Sequence, residues 1–354
     1  MKIKLAILEK DSNYLNRIVA AFNTKYSENF EIYSFTDAAV AMENLETAKI
    51  EVLLASDDFD IDAEQLPRRC AMAYLVASSD IETYNNQRAI AKFQKVDLIY
   101  KQILSIYSEQ AGNMSRMVFG DDATKVLAFQ SVSGGCGAST MAAACALRFA
   151  AEGKKTLYLN LETCGSSEFF FRAEGQFGMS DVIFALKSRK TNLALKLESC
   201  VKQDARGVYF YSPAKVALDM LELNSEDILR MIAELKLTGS YDVIILDLSF
   251  SLKKDDLAVL EKAQRIVWVG DGSEISNAKF ITAYNALKLL GSNSDTPLYA
   301  RIHCVYNKFG SKTSQTISGI DVKTLGGAPR YEQATSEMII TKLSQMAMLD
   351  GLLQ

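Results

Sequence analysis

A chain of 354 residues is long enough for two hydrophobic cores, and a single domain of that size would be unusual. With 49% hydrophobic and 23% charged residues the composition is that of an ordinary globular protein, and a net charge of −4 gives no general pull toward nucleic acid or anionic lipid. The opening apolar run stops at Glu9, Lys10 and Asp11, short of a secretory core. No uncharged apolar stretch approaches the roughly 20 residues that cross a bilayer, so the expected location is the cytoplasm. Cys70, Cys136, Cys145, Cys164, Cys200 and Cys304 form no C-x-x-C pair, which argues for reduced thiols rather than a zinc site or a disulfide framework. His303 is the only histidine, leaving a histidine metal site or a Ser-His-Asp triad little to build on.

Residues 1–108 alternate short apolar runs with helical patterns, the rhythm of a parallel α/β sheet. Strands are expected at 3–8, 30–34, 52–55, 73–77 and 98–100, and helices near 14–22, 37–45, 81–92 and 103–108. Five strands in this order suit a flavodoxin-like fold, with its ligand crevice at the carboxyl ends of the strands. The pattern resembles the receiver domain of bacterial response regulators. That resemblance places the family's acidic pair at Glu9 to Asp11, its lysine at Lys101 after the fifth strand, and its phosphoacceptor aspartate at Ser56. A serine hydroxyl lacks the carboxylate that attacks phosphate, and Asp57 and Asp58 lie just beyond it, so a pseudoreceiver that serves as a docking module is expected. Residues 109–125 are polar and aperiodic, the best linker, and 126–354 make the second domain.

That second domain opens with a buried-strand run at 126–129, a glycine-rich turn, a small-residue helix, a stop at Gly153 and a second strand from Thr156. Gly134, Gly135 and Gly137 let the backbone approach an anion, and Cys136 and Ala138 complete the turn. The helix start favours phosphate through its free N–H groups and its dipole, and the hydroxyl of Ser139 or Thr140 is suited to Mg²⁺. The loop alone also admits a ligand-free turn or a dinucleotide site. Ser133-Gly134-Gly135-Cys136-Gly137-Ala138-Ser139-Thr140 resembles the deviant phosphate loop of the MinD and ParA ATPases, and its ending is most similar to the CpaE and TadZ branch. Both lysines of the pattern are missing: Ser133 stands at the signature position and Ala138 at the loop position.

Further along, an apolar strand ends in Asp247, the Walker B arrangement that holds Mg²⁺ directly or through water. Asn160 and Glu162 match the family's paired aspartates, where Glu162 is either a shifted catalytic carboxylate or a strand-end polar residue. The resemblance implies that Asn307 reads adenine and that the loop around Pro329 closes over the base. Residues 336–353 form a helix with an apolar stripe, and with only Lys342 on its polar side it suits core docking better than a MinD-like membrane helix. No basic, aromatic-interleaved stretch points to nucleic acid. The resemblance therefore implies a P-loop NTPase α/β domain behind a receiver-like domain, with ATP and Mg²⁺ as ligands. It further implies a homodimer, pilus or secretion assembly proteins as partners, and a cytoplasmic site that is polar or at the inner membrane face, with peripheral membrane association at most. A scaffold with slow hydrolysis is expected. The alternative is an active ATPase switch cycling on membrane or DNA.

Overall fold

The computed structural model describes residues 2–110, 124–165, 167–188, 192–291, 297–310 and 312–353. The chain divides into two compact units, Met1–Arg116 with Ser188–Cys200, and Met117–Lys187 with Val201–Gln354. Residues 111–123, most of the expected linker, lie outside the described residues.

In the first unit β1 (Ile3–Leu8) leads into α1 (Ser12–Lys25), which starts where the Asp11 carboxylate accepts from the N–H groups of Asn13 and Tyr14. Then come β2 (Phe30–Phe35), α2 (Ala38–Thr47), capped by Asp37, β3 (Val52–Ser56) and β4 (Ala71–Val76). Two strands, β5 (Thr83–Tyr84) and β6 (Gln87–Ala91), precede α3 (Val96–Gln110). The strand order is β2-β1-β3-β4-β6-β5, parallel except for the β5–β6 hairpin. On one face Leu15, Ile18 and Phe22 of α1 meet Ile99, Ile103 and Leu104 of α3; on the other, Ala41 and Leu45 of α2 cover Leu53 and Tyr74.

Two sequence expectations fail here. Residues 81–92 are a hairpin and a strand rather than a helix, and 98–100 lie inside α3 rather than in a strand. The overlooked signal is Asn85-Asn86, whose φ angles of 47° and 58° make the tight turn that asparagine tolerates between paired strands. The fifth parallel strand is therefore β6, and the residue that follows it is Lys92, not Lys101.

The second unit starts with β7 (Lys125–Gln130), α4 (Ala138–Ala151), β8 (Thr156–Asn160) and α5 (Met179–Ser188). Helix α6 (Leu193–Cys200) follows in sequence but packs on α3 in the first unit, where the buried Lys196 Nζ donates to Ser105 Oγ at 2.7 Å. The chain continues through β9 (Lys202–Gln203), β10 (Tyr209–Phe210), α7 (Ser225–Leu237) and β11 (Val243–Asp247). It ends with α8 (Lys254–Leu260), β12 (Arg265–Gly270), α9 (Glu274–Leu290), β13 (Ile302–Tyr306), β14 (Lys323–Gly327) and α10 (Ser336–Ser344). The sheet order is β14-β13-β12-β7-β11-β8-β10-β9, parallel except for β9 against β10.

β7 sits near the middle of this sheet, so the turn after it emerges among the carboxyl ends of β11, β8 and β12, where α/β sheets build ligand sites. Ala142, Ala143, Ala144 and Ala146 bury the small-residue side of α4, which lets the helix lie close to the sheet and to α10. Ile340, Leu343, Leu349 and Leu352 of the C-terminal stretch complete this core, and Arg148 pairs with Asp350 at 2.7 Å. The tail is α10 followed by a separate 3-10 helix (Ala347–Leu352) rather than the single helix expected over 336–353, and its apolar stripe docks inward, as its single lysine suggests.

Candidate nucleotide site

The turn from Ser131 to Gly137 is held from several sides. Ser131 Oγ donates between the carbonyls of Ser133 and Val269, and Asn307 Nδ2 donates to the Cys136 carbonyl at 2.9 Å. Gly137 has φ +88°, and a Cβ there would lie 2.4 Å from Asn307 Nδ2, so the position excludes any side chain. It serves as the N-cap of α4, and no side chain caps the helix. The first-turn N–H groups of Ser139 and Thr140 are therefore not taken by a capping side chain, the arrangement that suits an anion.

Beside this helix start, register brings the acidic groups together. β8 and β11 pair so that Asn160 stands opposite Asp247. Asp247 is fully buried; its Oδ2 accepts from Tyr158 Oη at 2.6 Å and from Asn160 Nδ2 at 2.7 Å. Ser139 Oγ lies 3.2 Å from Asp247 Oδ1 and 3.1 Å from Glu162 Oε2. One hydroxyl proton cannot serve both carboxylates at once. Burial, and then the Glu162 charge, push the Asp247 carboxyl up to about 7, although the bonds from Tyr158, Ser139 and Asn160 pull the other way. Burial and the neighbouring Asp247 raise the Tyr158 phenol well above its ordinary value, so it stays a donor.

These groups fit a hard divalent cation. Among the described residues no three His, Cys, Asp or Glu side chains gather to hold a metal alone. The chain offers one hydroxyl and two carboxylates, oxygen donors of the kind that Mg²⁺ would take. A pocket opens alongside, lined by Asn160, Glu162, Cys164, Met179 and Met220.

The structure brings Gly134, Gly135, Cys136, Gly137, Ala138, Ser139 and Thr140 into one turn and helix start, with Glu162 and Asp247 at the hydroxyl end. Asn307 is buried with Oδ1 accepting from the Lys308 N–H and Nδ2 on Cys136, so it clamps the loop and retains one donor and one acceptor. Pro329 follows the buried Ala328, whose N–H bonds the Tyr306 carbonyl, and is itself exposed. Cys136 is buried with Sγ 3.8 Å from Ser276 Oγ, and all six cysteines are free thiols. Sequence reasoning passed over Tyr158 as a site residue, yet its spacing of two from Asn160 on a strand puts both on one face.

The receiver-like unit shows a different arrangement. Ser56 ends β3 and is buried; it donates to Asp58 Oδ2 at 3.0 Å and accepts from Lys92 Nζ at 2.9 Å. Lys92 also pairs with the buried Glu9 at 2.8 Å and stands 3.6 Å from Asp57. Lys92, not Lys101, thus fills the role that the receiver resemblance assigns to a lysine.

Comparison with known proteins bears on the fold of both halves. Residues 1–108 match the TadZ-like receiver domain. Behind this TadZ-like domain, the fold is similar to a ParA family ATPase from Chlorobium tepidum TLS, with a TM-score of 0.50 and 18% identity over 65% of this chain and 99% of that one. Also similar are a MinC:MinD cell division protein complex from Aquifex aeolicus (TM-score 0.48, 16% identity, 64% of this chain and 93% of that one). A septum site-determining protein MinD complexed with Mg-ADP from Pyrococcus horikoshii OT3 gives 0.48 and 17%, over 62% and 94%. No curated protein sequence matches the chain. Residues 1–108 thus match a TadZ-like receiver domain, and the fold behind them is similar to that of a ParA family ATPase. Among the described residues no helix is long and apolar enough to cross a membrane.

Proposed function

We propose that this chain binds MgATP at the turn 133–140 and pairs with a second copy when nucleotide is bound. In that state it positions or scaffolds a pilus or secretion machine while hydrolysing ATP slowly. The observation that carries the reading is the Ser139 hydroxyl set between the Glu162 and Asp247 carboxylates at the uncapped start of α4. Ser139 and Asp247 would hold the cation, which supplies charge neutralisation at the phosphates. Backbone N–H groups of the loop bind the anion, Asn307 and the loop at Pro329 face the base, and Glu162 orients water. Partner and machine come from the TadZ-like receiver domain at residues 1–108, read as a docking module.

Slow turnover follows from charge. Neither Ser133 nor Ala138 provides the cation that, at a transferring phosphoryl group, contributes roughly 10³ to 10⁵ in rate. The test is calorimetry with MgATP, light scattering with and without it, and steady-state phosphate release. Micromolar binding, a doubling of mass and turnover far below about 1 s⁻¹ are expected. Absence of binding at excess Mg²⁺ sinks the nucleotide reading, a nucleotide-independent monomer sinks the dimer, and turnover of about 1 s⁻¹ or faster rejects the scaffold in favour of an active switch.

A further inference from the structure

We infer that Lys308, just beyond β13, is the ground-state phosphate-binding cation of this site and stands in for the loop lysine that Ala138 replaces, while the cation of the Ser133 position, on which fast turnover depends, stays missing. Its ammonium reaches the loop directly, with Nζ donating to the Gly135 carbonyl at 2.6 Å. The backbone that presents it is fixed on both sides. The Asn307 N–H bonds the Gly270 carbonyl, the Phe309 N–H bonds the Ala328 carbonyl, and Lys308 itself is held at φ 58°, a conformation that non-glycine residues adopt at a cost. The neighbouring Asn307 amide grips Cys136, so the pair Asn307-Lys308 holds two successive carbonyls of the loop.

The chemistry of the contact points beyond a structural clip. Among the described residues Lys308 pairs with no carboxylate, so its charge is left uncompensated beside the loop. An ammonium has three donors, of which the Gly135 carbonyl takes one. A phosphate oxygen carries charge and is a stronger acceptor than a neutral carbonyl, and the four-carbon stem lets the head move to it without backbone change.

The inference rests on the nucleotide reading, and its test separates the two. MgATP affinity is measured by calorimetry over a range of salt for the wild type, Lys308→Met, Lys308→Arg, Ala138→Lys and the Ala138→Lys/Lys308→Met pair. Lys308→Met should bind MgATP about 10- to 100-fold more weakly, the contribution of one charge-assisted hydrogen bond, and should show a shallower salt dependence. Lys308→Arg should retain most of the affinity. Ala138→Lys should gain more in the Lys308→Met background than in the wild type, because both place a cation at the same anion. Wild-type affinity and salt dependence in Lys308→Met overturn the inference while leaving the nucleotide reading intact. Weakened binding with unchanged salt dependence and no rescue by Ala138→Lys reduces Lys308 to a loop clip and also overturns it. A wild type that binds no MgATP removes the nucleotide reading and the inference together.

Discussion

At the carboxyl ends of β1 and β3 the receiver unit gathers Glu9, Ser56 and Asp57 around Lys92. At the carboxyl ends of β8 and β11 the second unit gathers Glu162 and Asp247 around Ser139. Each is a strand-end cluster of carboxylates with a hydroxyl. In the first, the chain brings its own cation: Lys92 is largely buried, and the Glu9 beside it is only 1% exposed, so the acidic charge is met internally. In the second, no lysine among the described residues enters the cluster, and two carboxylates face one hydroxyl proton. Two clusters of similar composition therefore differ in charge, one holding an internal cation among its carboxylates and the other leaving its carboxylates beside a hydroxyl.

The comparison breaks first at Lys92. Lys92→Met leaves the Glu9 carboxylate buried without its partner, and the receiver unit should lose about 3 to 5 kcal/mol. Adding Glu9→Gln should recover much of that loss. Urea denaturation followed by circular dichroism reads both units, and Trp268, the only tryptophan, reports on the second unit, so the dichroism transition that fluorescence does not follow belongs to the receiver unit. A Lys92→Met receiver transition that stays in place would show that the pair is not the internal neutraliser.

A smaller effect is expected at Tyr158, whose hydroxyl reaches Asp247 Oδ2 at 2.6 Å. Tyr158→Phe keeps the ring among Phe170 and Phe171 and removes one bond to a buried carboxylate, a loss of about 1.5 to 3 kcal/mol. Trp268 fluorescence in urea with EDTA measures it. A change under about 0.5 kcal/mol means that Tyr158 does not hold Asp247.

The pH dependence sharpens the contrast further. The Asp247 carboxyl is raised from 3.8 to about 7, so between these values the folded state holds a proton that the unfolded state has lost. Stability of the cation-free protein from this group is therefore full below pH 4 and falls as pH rises toward 7. The melting temperature without Mg²⁺ should drop across that window, and Asp247→Asn should flatten the slope. An identical slope in the variant would remove Asp247 as its source.

The smallest effect is a null at the receiver cluster. Incubation with acetyl phosphate should leave the intact mass unchanged, because Ser56 is buried and bonded to Lys92 and Asp58. A stoichiometric labile adduct that disappears in Asp57→Ala would place the acceptor at Asp57 instead.

What the sequence determined by itself is local in origin. The apolar run into β7, the glycines of the turn, the alanine-rich α4 and the apolar strand ending at Asp247 all declare themselves through periodicity, backbone freedom and strand length, which depend on neighbours along the chain. Misreading residues 81–92 as a helix was a local error as well, since Asn85-Asn86 carried the turn signal. What the tertiary structure alone decided is how charges meet. Tyr158 reaches Asp247 across 89 residues, Lys308 reaches Gly135 across 173, and Lys92 reaches Ser56 across 36. Each contact is set by strand order and register in a parallel sheet: β8 lies beside β11, while β13 and β7, like β6 and β3, are separated by one strand, and that order follows from burying whole faces rather than from any short stretch of sequence.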